Sequence, residues 1–236
     1  MTKFLFVLAI IVAALVQSAS SLKSRNLARK GKGSKKKGKK MAGRTLSLAV
    51  TNLSGGQPFS PFFVMVHNEY AYLYEFGEPS SAGLKTLAET GSPADLVAYF
   101  DGAEGVAFAG AHTEDAPLMP GMTTVIEVTV SDAYPLVTIA SMGINTNDMF
   151  VSLNGEYLYP GDVLFSDGLD AGTEANDELC VNIPGPACGG GMGAPGGGEG
   201  FVHVSPGIHG GGDIAVAAYD WRNPVMKTAV YYPYDY

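Results

Sequence analysis

The sequence predicts an all-β protein, an antiparallel β-sandwich with one short helical insertion, and three observations carry the prediction. Short segments rich in Val, Ile, Phe, Tyr and Thr recur along the chain, several with alternating apolar residues. Turn residues separate them at short intervals, drawn from 31 Gly and 14 Pro in 236 residues. Helix start and stop signals cluster in one place, near residues 80–101. The segment carrying these patterns, 45–223, has the size of one domain.

The strands are read in chain order. Thr45–Leu53 places Leu46, Leu48 and Val50 on one face. Phe62–His67 is a short apolar run, and Thr123–Val130 sets Val125 against Glu127. Leu136–Met142 and Met149–Leu153 flank an Asn-rich turn. Phe201–Val204, Ile214–Ala218 and Val225–Tyr232 complete the set, the last overlapping a Tyr-rich C-terminal tail drawn from residue 224 to 236. Between the second and third strands, Ser80 or Ser81 caps a helix carrying Leu84, Leu87 and Ala88 and ending at Gly91. Ser92 caps another, with Pro93 at its first position and Leu96, Val97 and Phe100 facing inward. This pair reads as an excursion from the sandwich edge.

Residues 1–20 read as a secretory signal peptide: Lys3, an apolar run from Phe4 to Val16, then small residues at Ser18, Ala19, Ser20 and Ser21. A transmembrane anchor is the alternative, but the run is shorter than the roughly 20 residues of a bilayer span. Secreted, extracellular localisation is therefore expected, with no membrane span.

Charge divides the chain. Eleven of the 15 basic residues lie between Lys23 and Arg44, whereas 45–236 holds all 23 acids against Lys85, Arg222 and Lys227, a net of 3 − 23 = −20. The segment 21–44 is expected to be disordered, since it has little to bury and its charges repel. Lys35, Lys36, Lys37, Lys39 and Lys40 are its candidate polyanion-binding residues, for an acidic polysaccharide or a mineral surface rather than a nucleic acid. A removable pro-segment, or a tail folded on the acidic body, are the alternatives.

Cys180 and Cys188 flank a sequence that must turn, and in a secreted chain they are expected to pair; free or metal-bound thiols are the alternative. The glycine-rich stretch 189–198 lacks the Lys and Ser/Thr of a phosphate loop, so no nucleotide is expected. Asn52-Leu-Ser54 is a weak glycosylation sequon. The residues with most chemistry are acids: Asp162, Asp167, Asp170, Glu174, Asp177 and Glu178, with Asp148 on the preceding turn and Thr173 and Asn176 as neutral oxygen donors. Calcium takes six to eight such oxygens from flexible loops, and a solvated acidic face is the alternative.

Four motifs in order resemble the spondin N-terminal domain family across about 46–222. These are Phe59-Ser-Pro-Phe-Phe-Val-Met-Val-His67, Ser81–Gly91, Ser141–Ser152 and Asp167-Gly-Leu-Asp-Ala-Gly-Thr-Glu174. The sequences around Phe201–Asp213 and Tyr219–Pro224 look more like single-domain secreted members. The resemblance implies a sandwich similar to a C2 domain, calcium held by loops at one end, and a non-enzymatic role in extracellular matrix or cell-surface adhesion. Asp148, Asp170 and Glu174 match the family's motif acids, with Asp167 and Asp177 as additions. Met149 stands where the family has Trp, and Glu174 where it has Asp. A second reading is a structural protein held on polyanionic or mineral surfaces by its basic tail. A third is a metal-dependent hydrolase using His203 and His209 with Asp213, although no hydrolase elbow, zinc-helix or nucleotide fingerprint is present.

Overall fold

The computed structural model describes residues 43–189, 191 and 197–233. The signal-peptide reading of 1–20 and the five candidate lysines lie outside them.

The described chain forms two antiparallel sheets. Its strands are β1 (Arg44–Asn52), β2 (Phe62–His67), β3 (Val106–His112), β4 (Thr123–Val130), β5 (Leu136–Met142), β6 (Met149–Tyr157), β7 (Val163–Ser166), β8 (Leu169–Asp170), β9 (His203–Val204) and β10 (Met226–Tyr231). One sheet has the order β4-β1-β10-β7 and the other β3-β2-β5-β6-β8-β9. The all-β sandwich expected from the sequence is the fold observed.

Two cores explain the two kinds of strand. On β4 the buried residues alternate, Ile126, Val128 and Val130 facing inward and Glu127 and Thr129 outward, as on a sheet with one wet face. On β2 every residue is buried. Its Phe62, Val64 and Val66 enter the core between the sheets, while Phe63 and Met65 enter a second core on the outer face. Strand β6 divides in the same way, Met149 and Val151 to one side and Phe150 to the other.

The second core is roofed by α1 (Ala82–Thr90) and α2 (Ala94–Phe100). Ser81 Oγ accepts the Leu84 N–H at 3.2 Å, and Gly91 closes α1 at φ 72°, a backbone angle that favours glycine. Leu84, Leu87, Ala88, Leu96 and Phe100 are buried against Phe63, Met65 and Phe150. The helices therefore cover the face of the six-stranded sheet, where the sequence placed them at an edge.

Three other expectations are corrected. The sandwich does not stop at residue 223: β10 lies between β1 and β7, with Leu48 opposite Val230 and Met226 opposite Ser166. Residues Met226–Tyr231 of the tail drawn from 224 to 236 are thus a strand inside the sheet. The run Ile214–Ala218 is not a strand, because Val216–Tyr219 makes a single helical turn, α3, and Ile214 alone enters the core. Asn52 is no glycan acceptor. It is fully buried, its Nδ2 donates to the Gln57 and Leu118 carbonyls at 2.8 and 2.9 Å, and its Oδ1 accepts from the Ser54 N–H and hydroxyl. A side chain so enclosed is inaccessible to a sugar.

Candidate metal centre

At one end of the six-stranded sheet three short strand segments meet. Met149 pairs with Asp170 across β6 and β8, and Asp170 pairs with His203 across β8 and β9. Residues directly opposite on antiparallel strands bring their side chains together, so the register places His203 beside Asp170. Asp148, one residue before β6, is set by the turn that precedes it. There Thr146 Oγ1 donates to the Gly143 carbonyl at 2.6 Å and accepts the Met149 N–H at 3.1 Å.

Asp148 and Asp170 are fully buried. Asp148 Oδ2 accepts the Thr173 N–H at 2.6 Å, the Thr173 hydroxyl at 3.1 Å and the Glu174 N–H at 3.0 Å, while its Oδ1 is buried with no hydrogen-bond partner. Asp170 Oδ1 accepts the Gly172 N–H at 2.7 Å and Oδ2 accepts Asn176 Nδ2 at 2.8 Å. Burial, and after it the charge of Asp170, pushes the Asp148 carboxyl up to about 6, against the N–H donors that favour its charge. Burial also raises Asp170. No Lys or Arg occurs between Lys85 and Arg222 to neutralise these carboxylates from within the intervening loops.

The base that faces Asp170 is an imidazole. His203 Nε2 lies 3.5 Å from Asp170 Oδ1 and 3.5 Å from Glu199 Oε2, and its Nδ1 donates to the Val204 carbonyl at 2.9 Å. Burial opposes charge on His203, but the Val204 carbonyl, Asp170 and Glu199 outweigh it and raise the group. Asp170, Glu199 and His203 each offer a donor atom within 4.8 Å of the others, and no other such group of acids, His or Cys is found among the described residues.

The other expected site residues fall in different places. Glu174 is buried beside Asp148, to which its N–H donates. Asp177 is held by Asn147 Nδ2 at 3.1 Å, Asn182 Nδ2 at 2.6 Å and the Leu179 N–H at 3.0 Å, which makes it a loop clamp. Asp167 is exposed, in a groove shared with Phe76 and Phe165. Glu178 gathers the N–H groups of His209, Gly211 and Gly212, and Asp213 Oδ2 accepts the Cys180 N–H at 2.9 Å. Several of the clustered acids therefore pin backbone. Cys180 and Cys188 form a disulfide, as expected, in the same loop. His209 turns its Nε2 to the Pro206 carbonyl at 3.2 Å and does not join His203.

Glu199 was not singled out by the sequence. It lies 29 residues beyond Asp170, after the glycine-rich stretch, and no local spacing ties it to the acidic segment. No known protein family matches the chain, and no relative is found among curated proteins. The spondin resemblance accordingly stands on its motifs.

Proposed function

We propose that this protein is a secreted, calcium-dependent binding module of the extracellular matrix or cell surface, without catalytic activity. The observation that carries the reading is the buried pair Asp148 and Asp170, with Asp148 Oδ1 unpartnered. An isolated buried carboxylate is costly, and two together repel strongly in a low dielectric. A calcium ion shared by Asp148 and Asp170 relieves both penalties, and loop carbonyls and water are the further ligands such an ion ordinarily adds. The Cys180–Cys188 disulfide supports an oxidising, extracellular setting. Among the described residues no helix is long and apolar enough to cross a membrane.

The test is thermal unfolding of the purified chain in chelator and in calcium, beside Asp148→Asn. An ion at a hundred times its dissociation constant adds about 2.7 kcal/mol, which in a domain of this size is a shift of roughly 5–10 °C. The wild type is expected to show that shift and the variant to lose it. Equal melting temperatures with and without calcium would remove the reading.

A further inference from the structure

We propose that Asp170, Glu199 and His203 form a second metal subsite, selective for a borderline transition ion of the zinc class over calcium. It borrows Asp170 from the calcium reading but does not depend on calcium being bound.

The first argument is distance. Zinc binds imidazole nitrogen and carboxylate oxygen at about 2.0–2.2 Å, so tetrahedral donors around it stand about 3.4 Å apart. His203 Nε2 is 3.5 Å from both Asp170 Oδ1 and Glu199 Oε2. These separations are long for hydrogen bonds and fit two edges of a coordination polyhedron.

The second argument is the ring. The Val204 carbonyl takes the Nδ1 proton at 2.9 Å, so the neutral imidazole presents its Nε2 lone pair to the two carboxylates. Nε2 is buried and makes no hydrogen bond. Three electron-pair donors thus converge on one point. A ligating histidine usually has its other nitrogen fixed in this way by a carbonyl. The carboxylates are oriented too: Asn176 Nδ2 donates to Asp170 Oδ2 at 2.8 Å and lies 3.4 Å from Glu199 Oε1.

The third argument is chemical. Calcium favours all-oxygen surroundings, whereas imidazole suits zinc and its neighbours. The nitrogen therefore separates this subsite from the all-oxygen donors at Asp148. Three protein ligands leave a fourth position for water or for a group on a partner molecule.

The experiment uses the whole chain, stripped with chelator and then titrated separately with zinc and with calcium. Zinc affinity is read by competition with a chromophoric chelator, and stability by melting temperature. One equivalent of zinc is expected to bind and to raise the melting temperature by about 5 °C. His203→Gln should lose the zinc response and keep the calcium response, which also shows that the variant folds. Asp148→Asn should do the reverse, and Asn176→Ala should weaken zinc by roughly 10–100-fold. His209→Gln should change neither. Copper substituted at the site should show one coupled nitrogen, absent in His203→Gln. Zinc binding unaltered in His203→Gln, or no zinc binding by the wild type, would overturn the proposal, with the calcium reading intact if its own shift persists. A zinc response without a calcium response would sink only the calcium reading.

Discussion

His67 shows how one side chain ties stability to pH. It is buried on β2, with Nδ1 donating to the Asn68 carbonyl at 2.9 Å and Nε2 facing Thr138 Oγ1 at 2.8 Å. The neutral ring with its proton on Nδ1 accepts the Thr138 hydroxyl proton at Nε2, while the Thr138 oxygen accepts the Gly155 N–H at 2.8 Å. Burial accordingly lowers the His67 group below its usual 6.5. The folded state then binds fewer protons than the unfolded one, so stability is full above about 6.5 and is lost as the pH falls below it. His112, lowered by burial as well, adds to the same trend. Asp148, Asp170 and His203, raised in the fold, work in the opposite direction, so the test is a difference: between pH 5 and 7.5 the denaturant midpoint should rise more steeply with pH in the wild type than in His67→Gln. A slope unchanged in the variant would contradict the assignment. The same scale explains what could be read of the metal centre. Asp148 and Asp170, the two fully buried carboxylates of the candidate site, lie on two local motifs and were legible. Glu199 was not, because only the β8–β9 pairing, made at a distance in sequence, brings 199–203 against Asp170.

At the scale of elements, legibility follows the environment of each face. Strands buried on both faces read as apolar runs, β2 up to its terminal His67 and β5 broken only by Thr138 and Ser141, whereas β4 reads as alternation. Strands β3 and β7 escaped notice because they are sheet edges whose apolar residues point outward, Phe108, Val163 and Phe165 among them. Residues 214–218 misled in the other direction: Ile214 is apolar to fill a core, while α3 carries no buried residue. The strand β10 was seen but assigned to a tail, since a terminal position says nothing about where a strand inserts. Its role can be measured. Met226 is fully buried, sits opposite both Asn52 and Ser166, and belongs to the core between the sheets. Met226→Ala should cost about 2–5 kcal/mol by chemical denaturation. A loss below about 1 kcal/mol would mean that β10 is dispensable packing at an edge.

Across the whole molecule, charge is separated along the chain more sharply than any local feature requires. Residues 45–236 carry 3 − 23 = −20, and the region from Lys23 to Lys40 holds ten basic residues with no acid. The folded body therefore repels polyanions, and attraction to one must come from the N-terminal segment. On the proposed reading, this electrostatic division separates cation capture by the carboxylates at the end of the sheet from polyanion contact through the lysines. Screening gives the signature. The Debye length shrinks from about 30 Å at 0.01 M salt to about 3 Å at 1 M, so a contact built on lysine clusters must weaken steeply with salt. We expect the chain to be retained on a heparin column at low ionic strength and released by sodium chloride. Deleting 21–41, which spares Arg44 and its bond to the Leu158 carbonyl at 2.8 Å, should send the protein through unretained. Calcium should not restore that retention, because neutralising two carboxylates leaves the body strongly negative. Retention of the deleted chain at low salt would place the polyanion contact on the sandwich itself and end the case for a basic docking tail.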